Sequence, residues 1–141
     1  MQKKIGFEDA VDQIVTKDSR YARAAYFFLR EALDFTVKEL KRQRSERSGQ
    51  HVSGPELLNG LRQYALDQFG PMVITVFEEW GVRRCRDFGN MVFNLIELGV
   101  FGKSDTDKPE DFEDQFQFED AFVKPFLPAG SGGVRFPQQA S

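Results

Sequence analysis

The stretch Tyr21–Leu40 constrains the fold more than any other part of the chain. At about 100° per residue, Ala25, Tyr26, Phe28, Leu29, Ala32, Leu33, Phe35, Thr36, Val37 and Leu40 fill one broad arc. Arg30, Asp34, Lys38 and Lys41 fall opposite. The arc covers about half the circumference, wider than the ~100° stripe of an ordinary surface helix. Such a helix has to be covered from more than one side. Its interior lacks Gly and Pro and is rich in Ala, Leu, Glu, Lys and Arg, all good helix formers. The sequence predicts a central core helix here, with Asp18 or Ser19 as its N-cap.

Shorter helical patterns flank it. Phe7, Val11, Ile14 and Val15 recur at helical spacing over residues 7–17, with Glu8, Asp9 and Asp12 near the positive end of the dipole. Residues 42–52 are polar and aperiodic and read as an exposed loop. Ser53-Gly54-Pro55-Glu56 has the form of a capping box with proline in the first turn. Leu57, Leu58, Leu61, Tyr64, Ala65 and Phe69 then share one arc. After Gly70-Pro71, a face of Met72, Val73, Val76, Phe77 and Trp80 ends at Gly81, where a left-handed C-terminal glycine belongs. Val73-Ile74-Thr75-Val76 would also suit a strand. The flanking Pro71 and Glu78-Glu79-Trp80-Gly81 favour helix. Asp87 reads as the N-cap of the next helix, whose face is Phe88, Met91, Val92, Leu95, Ile96 and Leu98, closed by Gly99.

Beyond Gly102 the style changes. Lys103–Glu110 is charged, contains Pro109 and reads as a loop. Phe112-Glu-Asp-Gln-Phe116, Phe118-Glu-Asp-Ala-Phe122 and Phe7-Glu-Asp-Ala-Val11 repeat one word: apolar residues at i and i+4 with acids between. Each reads as a short segment clipped to a core by its apolar pair. Phe116-Gln117-Phe118 alternatively forms a short strand, giving a small β-hairpin with the region of Phe101. Residues 127–141 have the composition of a disordered tail. The expected architecture is mainly α: one domain over residues 5–126, of about five helices around the central one. With 141 residues and 15 Phe, the chain is long enough for a core filled by rings.

The chemistry-bearing residues are sparse. His51 is the only histidine and Cys85 the only cysteine, so neither a zinc set nor an internal disulfide can form. Arg83, Arg84 and Arg86 beside Cys85 would lower a thiol pKa if close. A nucleophile, however, would need a base, and His51 is the only imidazole. Asp105–Glu110 begins like a calcium loop but lacks the turn glycine and has Pro109 at a ligand position. No phosphate-binding glycine loop, zinc-protease helix or nucleophile elbow occurs. Glu78 and Glu79 are adjacent and make no catalytic pair. The inventory predicts a non-enzymatic protein without cofactor or metal. No apolar run approaches bilayer length, and Met1-Gln2-Lys3-Lys4 leads into acidic Glu8, Asp9 and Asp12, so no signal peptide is expected.

Two basic clusters remain as candidate contacts. Lys38, Lys41, Arg42, Arg44 and Arg47 follow the central helix, and Arg83, Arg84 and Arg86 lie in the turn after Gly81. Pro71–Phe101, returning to Phe112–Phe118, has the order of a winged helix-turn-helix. In that arrangement the three arginines and Lys103 would meet phosphates. Asn90, Asn94 and Glu97 form the outward face of the second helix, and Glu97 would repel phosphate. Charge also opposes a polyanion partner. Residues 1–102 carry a balance of +1, residues 103–124 one of −5, and the whole chain −3.

Arg20-Tyr21…Ala25-Tyr26-Phe27-Phe28…Glu31-Ala32-Leu33-Asp34, His51-Val52-Ser53-Gly54-x-Glu56-Leu57-Leu58, Phe69-Gly70-Pro71…Glu79-Trp80-Gly81-Val82 and Asp87-Phe88-Gly89…Val92-Phe93-Asn94-Leu95 together resemble a family of small uncharacterised bacterial proteins typical of planctomycete and verrucomicrobial genomes. The likeness spans about residues 7–126. This chain is longer than the pattern between Lys41 and His51 and after Phe126. The resemblance implies a single compact domain in a bacterial cytoplasm and assigns no substrate, cofactor or catalytic residue. The reading is therefore a cytoplasmic interaction or regulatory module whose partner is another protein. The alternative is a winged-helix-like nucleic-acid binder using the basic turn.

Overall fold

The computed structural model describes residues 5–43, 52–101, 109–113 and 115–127. The described part is mainly helical. Five α-helices, α1 (Phe7–Lys17), α2 (Arg23–Gln43), α3 (Gly54–Phe69), α4 (Val73–Trp80) and α5 (Cys85–Glu97), are followed by single helical turns at Pro109–Phe112 and between Glu119 and Phe126. No β-strand occurs among the described residues.

The long helix forms where its broad apolar arc requires, but its boundaries differ. Asp18 terminates α1, its N–H bonding the Ile14 carbonyl at 2.7 Å, and neither it nor Ser19 caps α2. Residues 19–22 make a turn first, tied down by the Ala22 N–H on the Trp80 carbonyl at 3.0 Å. At the other end α2 runs through Arg42 and Gln43, which the sequence assigned to the loop. Lys41 and Arg42 suit the negative end of the dipole there, and Arg42 pairs with Glu39 one turn back at 2.6 Å. Residues 44–51 of that predicted loop, with Arg44, Arg47 and His51, lie outside the described residues, and Val52 at its end packs partly buried against the core.

As its arc demands, α2 is covered on several sides: α3 packs along it, and α1 and α4 touch it. Where α2 and α3 cross, Gly60 faces Thr36 so closely that a Cβ at Gly60 would fall on the threonine hydroxyl. That hydroxyl is buried and donates to the Ala32 carbonyl at 2.7 Å, so no polar atom is stranded at the crossing. Ser53 caps α3 as predicted. Its Oγ accepts from the Glu56 N–H at 3.2 Å, and the Glu56 carboxylate accepts from the Ser53 N–H at 3.1 Å.

The ambiguous Val73–Val76 run is helical, with Val73 and Phe77 fully buried. Gly81 takes φ +85°, and a side chain there would strike the Arg20 carbonyl. Asp87 is not the N-cap of α5. The helix starts at Cys85, and Asp87 sits in its first turn, accepting from the Arg83 and Arg84 N–H groups at 2.8 and 3.1 Å. At the far end Gly99, φ +78°, closes α5, and Phe101 stacks on Phe7 at 6.2 Å.

The C-terminal segments plug the core rather than form a hairpin. Phe112 is 3% exposed and sits in a slot made by two glycines, Gly54 of α3 and Gly89 of α5. The Phe118 and Phe122 rings meet at 5.3 Å, and both lie on Phe77 at 5.6 and 5.4 Å. The i, i+4 word thus acts as a clip. The candidate strand Phe116–Phe118 is not one, because its carbonyls are engaged elsewhere. That of Phe116 accepts from the Cys85 thiol at 3.3 Å, and that of Gln117 accepts from the Ala121 N–H at 3.0 Å.

Candidate functional site

The basic turn begins where Gly81 ends α4. Arg83 and Arg84 are exposed and make no ion pair among the described residues. Their backbone N–H groups, which in a phosphate site would face the ligand, are already bound by Asp87. Arg86 departs from its predicted role. It is half-buried and pairs with Glu113 at 2.9 Å, holding the Phe112 segment against α5, and its Nε is buried without a partner among the described residues. Cys85 is 2% exposed, which leaves the thiol inaccessible as a nucleophile. Lys38, Lys41 and Arg42 lie toward the C-terminal end of α2, whose 21 residues span about 30 Å. The turn around Gly81 packs against the start of that helix, so the two basic clusters are far apart. Arg44, Arg47 and Lys103 lie outside the described residues.

Of the three residues expected on the outward face of α5, Glu97 is exposed, but Asn90 and Asn94 are turned inward. Asn90 donates to the Tyr21 hydroxyl at 3.0 Å, and Tyr21 donates to Asp87 at 2.7 Å. Asn94 donates to Asp18 at 3.2 Å and to the Tyr26 hydroxyl at 3.3 Å. Residues 87, 90 and 94 lie at helical spacing, so one stripe of α5 holds the turn before α2 and the first turn of that helix. The stripe escapes sequence analysis because a polar stripe on an amphipathic helix normally faces water. The signal that could have revealed it is Tyr21 and Tyr26, whose buried hydroxyls require partners. Burial is the main cause of the Tyr21 phenol being pushed up to about 12, and of the Tyr26 phenol being raised. The Arg20 guanidinium, bonded to Asp18 at 2.9 and 2.8 Å, holds that carboxyl down at about 2.

The grooves carry little chemistry. One of about 280 Å³ between α2 and α3 is lined by Glu39, Gln43, Glu56 and Asn59, but Glu39 is paired with Arg42 and Glu56 completes the cap. One of about 180 Å³ opens beside Asp18 and Asn94. Among the described residues, no group of three His, Cys, Asp or Glu is placed to hold a metal ion. No described helix is long and apolar enough to cross a membrane.

Exposed apolar side chains on neighbouring segments are the remaining feature, and sequence analysis missed them. Met72, Val123, Phe126 and Leu127 are 54, 36, 46 and 49% exposed. The turn Gly70–Met72 packs against the turn Glu119–Val123, and that turn against Lys124–Phe126. The chain between Phe118 and Phe126 turns its inner side, Phe118 and Phe122, onto Phe77 and leaves Val123 and Phe126 outward. No family model, curated protein or solved structure compared with this chain matches it.

Proposed function

We propose that this chain is a non-enzymatic protein-interaction module whose contact face is formed by Met72, Val123, Phe126 and Leu127. The observation that carries the reading is the exposure of four large apolar side chains on neighbouring segments, the Met72 turn lying against Glu119–Val123 and that turn against Lys124–Phe126. An apolar surface rimmed by polar residues is the ordinary mark of a partner site. Membership of the bacterial family whose sequence words this chain resembles, and a cytoplasmic setting, belong to the same proposal.

The test is affinity capture with nuclease treatment, using the wild type beside a Phe126→Ser/Leu127→Ser variant. Both side chains are about half exposed, so the variant should retain its fold. A protein captured by the wild type and lost with the variant is expected. Capture indifferent to the variant would overturn this face.

One observation favours a second reading, nucleic-acid binding by α4, the turn and α5 as a winged helix-turn-helix: Arg83 and Arg84 are exposed and carry no ion pair among the described residues. Against it, the Asn90 and Asn94 amides that would read bases are occupied by Tyr21, Tyr26 and Asp18. Binding to duplex DNA, followed by anisotropy, should be weak and vanish near physiological salt. Tight binding whose log–log salt slope falls by about two units in Arg83→Ala/Arg84→Ala would promote the second reading. Arg86 is left intact in that variant because of its pairing with Glu113.

A further inference from the structure

We infer that the partner of the apolar face is a cationic amphipathic segment, with apolar residues along one side and Lys or Arg along its flanks. This rests on the reading of Met72, Val123, Phe126 and Leu127 as a contact face. The new observation is the charge on the elements that carry them. Met72 immediately precedes α4, in which Thr75, Glu78 and Glu79 are exposed. In the C-terminal turn, Glu119 and Asp120 are exposed one turn before Val123 and Lys124. The elements that carry the face, residues 70–80 and 118–127, thus contribute two acids each, with Lys124 as their one base, a balance of −3.

Of these four acids only Asp120 is neutralised among the described residues, by Lys124 at 2.8 Å. Glu78, Glu79 and Glu119 are exposed and make no ion pair among the described residues. The Lys124 ammonium is held more firmly protonated, chiefly by its bond to Asp120, with the charge of Glu119 adding to it. An anionic apolar partner would bring its charges against these carboxylates, and a second copy would bring the same acids. A cationic one gains steering and register from them. Met72 adapts to varied apolar side chains, so discrimination falls to the charges.

The experiment uses the full chain and two synthetic helical peptides of about 20 residues with the same leucine face at i, i+3, i+4 and i+7 spacing. One carries Lys on its polar side and the other Glu. Binding is followed by fluorescence anisotropy at low and high salt. The Leu/Lys peptide should bind at least about tenfold more tightly than the Leu/Glu peptide and weaken as salt screens the rim. Met72→Ser/Phe126→Ser should weaken it about tenfold. Glu79→Gln/Glu119→Gln should weaken it and flatten its salt dependence. Equal binding of both peptides, lost in Met72→Ser/Phe126→Ser, would overturn the cationic partner and leave the face standing. Binding of neither peptide would overturn the inference, and together with capture indifferent to Phe126→Ser/Leu127→Ser would take the face with it. Sedimentation showing a dimer that Met72→Ser/Phe126→Ser dissociates would also overturn the inference, placing a second copy on the face.

Discussion

Phe28 is the ring on which the α2, α3 and α4 surfaces converge. It contacts Tyr64, Phe69, Phe77 and Trp80 at centroid distances of 5.3–5.7 Å and is 4% exposed. Phe28→Ala should cost about 3–5 kcal/mol, because four large rings cannot collapse together into the space. Denaturant unfolding measures it, and a loss below about 1 kcal/mol would remove Phe28 from the centre of the core. Gly89 presents the opposite case. An added methyl would lie 2.8 Å from the Phe112 Cβ and 2.9 Å from its Cγ. Alanine improves helix propensity by up to about 1 kcal/mol. Overpacking costs about 1–3 kcal/mol and wins here, because the methyl strikes the base of the Phe112 side chain, which a rotamer change cannot move away. Gly89→Ala should lower the unfolding midpoint; a raised midpoint would show that the slot is soft.

Between elements, the decisive contact is that of Tyr21 and Asp87. One carboxylate accepts the Tyr21 hydroxyl and the N–H groups of Arg83 and Arg84. It therefore fixes the approach to α2 and the start of α5 together. Asp87→Ala should cost about 2 kcal/mol, from lost N-terminal capping and a stranded tyrosine donor. In Tyr21→Phe that donor is gone, so adding Asp87→Ala should cost less than it does in the wild type. A double-mutant cycle by denaturation reads a coupling of about 1 kcal/mol. Strict additivity would mean that the two residues act separately.

Across the whole molecule, titration should limit stability at both extremes. Asp18 has its folded pKa depressed from 3.8 to about 2 by Arg20. It contributes stability above the unfolded value and loses that contribution as pH falls through the folded one. The Arg20 side chain is 58% exposed, so solvent screening limits the pair to under about 1 kcal/mol. Asp18→Asn should flatten the pH dependence of stability between about pH 4 and 2. An unchanged slope there would remove the pair from the acid limb. Tyr21 has its folded pKa raised from 10.0 to about 12. Its contribution is full below the unfolded value and is lost as pH rises through the folded one. Ultraviolet phenolate absorbance should therefore lag behind that of free tyrosine and appear together with loss of helix by circular dichroism. Tyr64 is only partly buried and can ionise in the folded chain, so phenolate absorbance beyond that of one tyrosine before any loss of helix would contradict the burial of Tyr21 and Tyr26.

The sequence by itself determined the helices. Apolar spacing, the Ser53–Glu56 cap and the glycines at 81 and 99 act within a few residues of chain, and the structure places α1, α3, α4 and the body of α2 where those signals lie. It also determined the mainly α class and the clipping of Phe118 and Phe122. It misplaced the start of α2, because Asp18 can serve either neighbouring helix, and only the pairing of Ala22 with Trp80 decides which. It turned Asn90 and Asn94 outward, because spacing reports a polar stripe but not what lies across from it. It gave Arg86 to a ligand, because Glu113 stands 27 residues away and no local pattern links them. The apolar face was illegible for the same reason. Met72 and Phe126 are 54 residues apart, and each alone resembles a core residue. Local geometry is written in local sequence. Which polar group is buried, which charge is paired and which apolar side chain is left over depend on contacts between distant segments, and those only the tertiary structure decided.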